Sequence, residues 1–424
     1  MFSTLTNRCK VITSLALVFI LFSSCDNNLE VIGEWKEIPI VYGIFSPDPD
    51  SIGNEKVNLF RIEKAFLDPN TSAFEIAQRP DSLYYGPNDL QVIIYERKEF
   101  DLNYIALDTL ERVDAFARFG ISRDNGIFAS TPNWVYMMDR LPTGSTDNRY
   151  YKMVINNLVN GKTYTNFCRG ITMGSYNATD QYFTDFNVIL PFRNPARPLR
   201  WARIDPASNE WIFDKITVNW SQPSNAAMYD VTVILNYEEF QVDTNATGEP
   251  LIPPGTRVSK KIAWKAIRNF NAQGETRLFA PFTNNPNDFY YLFTKGNGSS
   301  VTQDLNGENF FTFLSTNLSN VTGTNIRRCA GKIDFRIDAA GPELARYISA
   351  INANQNLIGG LFPADPFTNI ESGFGLFSFK FDVIKKNYTI EQETFNYLNQ
   401  GDITRNLGFK SCDCSNLQPN GGCQ

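Results

Sequence analysis

The carboxylates Glu96 with Glu99, and Glu238 with Glu239, are the residues whose type best suits chemistry, as the acid and base of a glycosidase. They would have to act alone. The 424-residue chain contains no histidine, which removes Ser-His-Asp and Cys-His nucleophile systems, His-ligated zinc or haem, and any imidazole pH switch. Every Asp or Glu that can be placed lies beside a turn or on an outer strand face, so none is expected to have its pKa driven up by burial. Asp48-Pro49-Asp50 offers hard oxygens to Ca²⁺ but lacks the twelve-residue loop with its Gly and terminal Glu, and reads as a solvated turn. No Walker loop, dinucleotide fingerprint or Cys-x-x-Cys occurs. The sequence predicts no catalytic residue, no metal site and no cofactor; a carboxylate-dependent hydrolase acting on glycans is the alternative reading.

Cysteines and aromatic rings are the other functional types. Beyond Cys9 and Cys25 in the leader, five cysteines remain: Cys168, Cys329, Cys412, Cys414 and Cys423. An odd number leaves at least one thiol outside any bridge. The Cys412-Asp413-Cys414 run could suggest a metal clip, but a tetrahedral zinc site needs a fourth ligand. In an exported protein a disulfide staple on the tail fits better. Spacing does not fix the pairing, although strain argues against joining Cys412 to Cys414 directly. Trp35, Trp134, Trp201, Trp211, Trp220 and Trp264, with the doublets Tyr84-Tyr85, Tyr150-Tyr151 and Tyr290-Tyr291, could stack on sugars or a partner protein. Core packing is the commoner fate of such rings. Trp134, read as loop-borne, is the best exposed candidate.

These residues need elements to hold them. An apolar fraction of 42% with 34 Phe supplies a real core, and the length calls for two or more domains. The net charge of −6, without a Lys/Arg block, gives no footprint for nucleic acid. Residues 1–24 read as a signal peptide: Arg8 and Lys10 precede the apolar run Val11–Phe22, which is too short for ~30 Å of hydrocarbon. Residues 25–34 would be a tether. Residues 35–189 read as an Ig-like β-sandwich, with strands such as Gln91–Tyr95 and a type I′ hairpin signal at Asn160-Gly161. Pro191, Pro195 and Pro198 mark a linker over 190–200. A second β-domain spans 201–385, and 386–424 forms a tail with the Cys cluster. The class is mainly β, with one short helix near 341–352, where Leu344, Tyr347, Ile348 and Ile351 form an amphipathic stripe after Pro342-Glu343.

Several segments carry resemblances. Ser23-Ser24-Cys25 at the end of the apolar run resembles the bacterial lipobox, which implies lipidation of Cys25; Phe22 stands where that pattern favours Leu, and an ordinary signal cut near Ser24 is the alternative. Trp220, the turn Ser221-Gln222-Pro223, and Tyr229 resemble the early strands of fibronectin type III domains, or else form a plain hairpin. Ile40–Asp48, Phe60–Leu67, a helix with Glu343 and Tyr347, and Asn369-Ile370-Glu371-Ser372-Gly373-Phe374-Gly375-Leu376-Phe377 together resemble the uncharacterised outer-membrane lipoproteins of Bacteroidetes. That resemblance implies tandem Ig- and fibronectin-III-like sandwiches on a palmitate-bearing lipid anchor in the outer membrane, on a face it does not specify. It also implies a binding or accessory role, with a TonB-dependent receptor or another outer-membrane complex as partner. It supplies no catalytic residue. Asp50-Ser51-Ile52, Asp81-Ser82-Leu83 and Asp108-Thr109-Leu110 match the O-glycosylation motif of exported proteins in that phylum, at Ser51, Ser82 and Thr109. Gly373 and Gly375, in an aromatic strand, call for a bulge or a close backbone approach.

Overall fold

Period-two alternation of apolar and polar side chains, broken by Pro, Gly and Asn, makes the protein mainly β. The computed structural model describes residues 38–52, 54–65, 72–124, 126–142, 149–171, 176–177, 182–183, 188–189, 198–221, 225–266, 300–355 and 367–424. The leader, Cys25, the tether, Trp35, Tyr290-Tyr291 and most of the expected linker lie outside them. The N-terminal half supplies β1 (Pro39–Phe45), β2 (Asn58–Lys64), β3 (Leu90–Lys98), β4 (Ile105–Thr109), β5 (Glu111–Asp114), β6 (Trp134–Met138), β7 (Arg149–Asn157) and β8 (Thr163–Arg169). The other half supplies β9 (Lys215–Ser221), β10 (Met228–Gln241), β11 (Val258–Lys265), β12 (Ser300–Asn306), β13 (Ile326–Ala340), β14 (Phe374–Tyr388) and β15 (Phe409–Asp413).

A nine-stranded mixed sheet runs in the order β11-β10-β13-β14-β1-β2-β6-β5, with β15 also paired to β13. An antiparallel four-stranded sheet, β4-β3-β7-β8, is separate from it, as is the pair β9-β12 joined by Val188–Ile189. The expected split at 190–200 does not coincide with any sheet boundary. β1 lies parallel to β14, with Ile40 opposite Phe374 and Val41 opposite Gly375. The seam is sealed by rings: Phe45 packs on Phe377 (5.4 Å between centroids), Phe379 (5.1 Å) and Tyr151 (5.0 Å). Truncating a buried ring of this kind to Ala costs ~3–5 kcal/mol. One connected core runs from Val41 to Phe409. Gly375 sits at φ +107°, where a Cβ would collide with the Val41 carbonyl oxygen, so the close approach read from the sequence occurs at this seam.

Four local readings are corrected. Three helices of nine residues or more are described, not one: α1 (Gly307–Asn317), α2 (Pro342–Gln355) and α3 (Gln392–Gln400). The segment 386–424, read as a tail with the Cys cluster, carries regular elements of its own: α3 buries Phe395, Tyr397 and Leu398, and β15 pairs with β13. The β7–β8 hairpin forms, but not through a two-residue I′ turn. The Asn157 carboxamide oxygen instead accepts from the backbone N–H of Val159 and Asn160, and Gly161 takes the positive φ of 73°. Finally, β9 and β10 are not a hairpin. They lie in different sheets and meet through Trp220 and Tyr229, whose centroids are 5.4 Å apart.

Candidate functional site

Trp134 is the first residue of β6 rather than a loop residue, and it lines a cleft of about 370 Å³. Strand pairing explains what meets there. Phe60 on β2 and Arg112 on β5 both stand opposite Tyr136 on β6, so side chains at every second position share one face. Along that face the core residues Phe60, Ile62, Tyr136 and Met138 give way at one end to Lys64, Trp134 and Arg112. The short helix Pro80–Leu83 and the turn through Tyr84, Tyr85, Gly86 and Pro87 cover this end without filling it. A backbone bridge between Glu63 and Tyr84 fixes the cover to β2. Asp89 fixes the turn by accepting the Gly86 N–H at 2.7 Å.

The chemistry of the cleft is cationic and aromatic. The Arg112 guanidinium lies 3.9 Å from the centroid of Trp134, a stacking worth ~0.5–2 kcal/mol according to its exposure. Lys64 lies 5.8 Å from the centroid of Tyr85 and donates to the Asp81 carbonyl at 2.8 Å. Burial lowers the pKa of Arg112 despite the favourable fields of Tyr136, Asp89 and Asp114. Burial also pushes the Tyr136 phenol up to about 12. The hydroxyls of Tyr84 and Tyr136 are buried and make no hydrogen bond among the described residues.

The remaining site residues do not converge on this cleft. Cys329 is bonded to Cys414 and Cys412 to Cys423, while Cys168 is a free, buried thiol. Glu238 lies near the first bridge, but its two sulfurs bond to each other and so form no ligand set for a metal. Glu96 pairs with Arg149, Glu238 with Arg257, and Glu239 with Lys260 and Arg328. Asp48 pairs with Lys56 and Asp50 with Arg336. Ser51 and Thr109 are exposed and Ser82 is half-buried, in the helix covering the cleft.

The expectation that no carboxyl is driven up by burial is wrong at three positions, one of them Asp108 on β4, raised chiefly by desolvation. Desolvation raises Glu343, in the first turn of α2, to about 7, against weak opposing hydrogen bonds that include one from the Arg169 backbone. It raises Asp382 on β14 to about 6, with Arg336 opposing. In the sequence Glu343 signals a helix start, and nothing local shows that β8 will pack over it.

Arg112 is the residue of this candidate cleft that the sequence did not single out. Leu110-Glu111-Arg112-Val113-Asp114 alternates as any half-exposed strand does, and only the pairing with β6 and the cover at 80–87 distinguish it. Comparison with known proteins supplies no relative: no family model matches the chain, and no curated protein does.

Proposed function

We propose that this chain is a lipid-anchored binding or accessory protein of the outer membrane, held by Cys25, that presents the Trp134 cleft to its partner. The observation that carries this reading is the cleft itself, in which a half-exposed Trp lies under a guanidinium instead of being packed into the core. Its position suits a tethered protein. Lys64 stands opposite Pro39 at the start of β1, so the cleft opens beside the point where the chain leaves residues 25–38. Extended, that stretch reaches at most ~45 Å, which keeps the cleft within a short distance of the bilayer. A small-molecule ligand or a segment of an outer-membrane complex, including a TonB-dependent receptor, would engage there.

The test is affinity purification of the full chain from mild detergent, beside metabolic labelling with a clickable fatty acid. Labelling should be lost in Cys25→Ala, and the co-purifying partner should be depleted in Trp134→Ala. Equal labelling of the Cys25→Ala protein would remove the anchor from the proposal. Unchanged recovery of every partner in Trp134→Ala would remove the cleft.

A further inference from the structure

Arg112 differs from most half-buried arginines of the chain; even Arg97 and Arg327, which pair with no carboxylate among the described residues, donate to backbone carbonyls. Arg61 and Arg123 share Glu63, Arg149 holds Glu96, and Arg336 is ringed by Asp50, Asp338 and Asp382. Around Arg112 no carboxylate oxygen lies within 4 Å among the described residues, and its guanidinium makes no hydrogen bond to any of them. The two carboxylates whose fields reach it are committed elsewhere. Asp89 accepts the Gly86 N–H, and Asp114 accepts the backbone N–H of Phe116 and Asn133. A partly desolvated guanidinium with no acceptor of its own is disfavoured until something in the working protein supplies one.

The stacking on Trp134 also matters. Held 3.9 Å over the ring centroid, the guanidinium has less freedom left to give up on binding. A fork held in this way matches a planar two-oxygen acceptor. The lining itself carries two cations, Lys64 and Arg112, against the single carboxylate Asp81, with Asp89 and Asp114 acting on Arg112 from outside it. The cleft has room for a ring-sized ligand but not for a folded segment.

We propose that the cleft between the 80–87 cover and strands β2, β5 and β6 binds a small organic carboxylate, whose two oxygens dock on the Arg112 fork beside Trp134. This inference rests on the cleft being a binding site, as proposed above, and adds the chemistry of what it takes.

The experiment is calorimetric titration of the full-length protein in detergent with benzoate and with glucuronate, each beside its neutral counterpart, benzamide or glucose, and with inorganic phosphate. Saturable binding of at least one carboxylate is expected, at least tenfold tighter than its neutral counterpart. It should weaken at least tenfold in Arg112→Gln and partly recover in Arg112→Lys, which keeps the charge but not the fork. Which acid binds identifies an aromatic or a sugar carboxylate as the source. The wild type and both variants should melt within a few degrees of one another, which separates lost binding from lost folding; if Arg112→Gln unfolds, Arg112→Lys and the neutral counterparts still decide. Equal binding of acid and neutral compound, tighter Arg112-dependent binding of phosphate, or no Arg112-dependent binding of any carboxylate would overturn the inference. Partner depletion in Trp134→Ala with no carboxylate bound leaves the proposed function standing and sinks this inference alone. Carboxylate binding by a protein that takes no fatty acid sinks only the anchor.

Discussion

Two arginines in the same large sheet have opposite surroundings. Arg328 on β13 is 2% exposed at its side chain, and its fork is filled. It donates to Glu239 at 2.9 and 3.1 Å, to the carbonyls of Ser319 and Leu407 at 2.9 and 2.7 Å, and to the Ser319 hydroxyl at 2.9 Å. The adjacent Cys329–Cys414 bridge ties down the same corner. Among the described residues, Arg112 has an aromatic ring and no acceptor. The contrast teaches how to read a buried cation. Where the charge serves the fold, the chain supplies every acceptor itself; where it serves a ligand, one side is left open.

The largest effect that would test this contrast is at the filled site. Arg328→Met strands two carbonyls and half of the Glu239 coordination, and should lower unfolding free energy by ~3–5 kcal/mol in denaturant titration. A loss under ~1 kcal/mol would show that the filled network does not hold that corner. Next come the bridges. Replacing Cys329 and Cys414 together by Ser opens a loop of 85 residues, against 11 for Cys412 and Cys423. The first double substitution should cost ~2–4 kcal/mol and exceed the second by about 2 kcal/mol, if chain entropy governs the effect. Equal midpoints for the two variants would contradict that account.

A smaller effect follows from Glu239. Desolvation pushes its carboxyl up, but hydrogen bonds from Lys260 and Arg328 outweigh this and hold its pKa below the ordinary 4.5. Because the folded value is the lower one, its contribution is complete above pH 4.5 and is lost as pH falls through the depressed folded value. Glu239→Gln should flatten stability over that acid range while lowering the plateau above it, and an unchanged acid limb would show that this pair is not linked to folding. The smallest effect is expected at Arg112. Arg112→Met removes an uncompensated cation while keeping the side-chain volume, so stability should change by less than ~1 kcal/mol, in either direction. A loss as large as that of Arg328→Met would show Arg112 to be structural and erase the contrast.

Much of the fold is visible in short windows of sequence. The alternation in 228–237 and 332–337 marks β10 and β13, and the Leu344–Ile351 stripe marks α2. The mainly β class follows from such windows. The helix α1 was missed although Asn306 caps it by accepting from Glu308 and Asn309, because Phe310, Phe311 and Phe313 read equally well as strand. α3 was missed because Gln392–Gln400 is polar, with only Phe395, Tyr397 and Leu398 to bury. The site was half legible. Trp134 stood out as a ring read as loop-borne, although it begins β6, and its neighbours Lys64, Tyr84 and Arg112 come from three separate stretches whose meeting depends on the β2–β6 and β5–β6 registers. Local pattern carries no information on pairing between strands so far apart in the chain.

The parallel pairing of Val41 with Gly375 also sets an order of events. Synthesis runs from the N-terminus, so β1 emerges among the first elements and its neighbour β14 only after more than three hundred further residues. During that interval β2 can satisfy one edge of β1, while the N–H and C=O groups along the other stay unpaired. An open edge is a template for wrong partners, and closing it last makes assembly slow. A fragment ending before residue 374 lacks the strand that pairs with this edge.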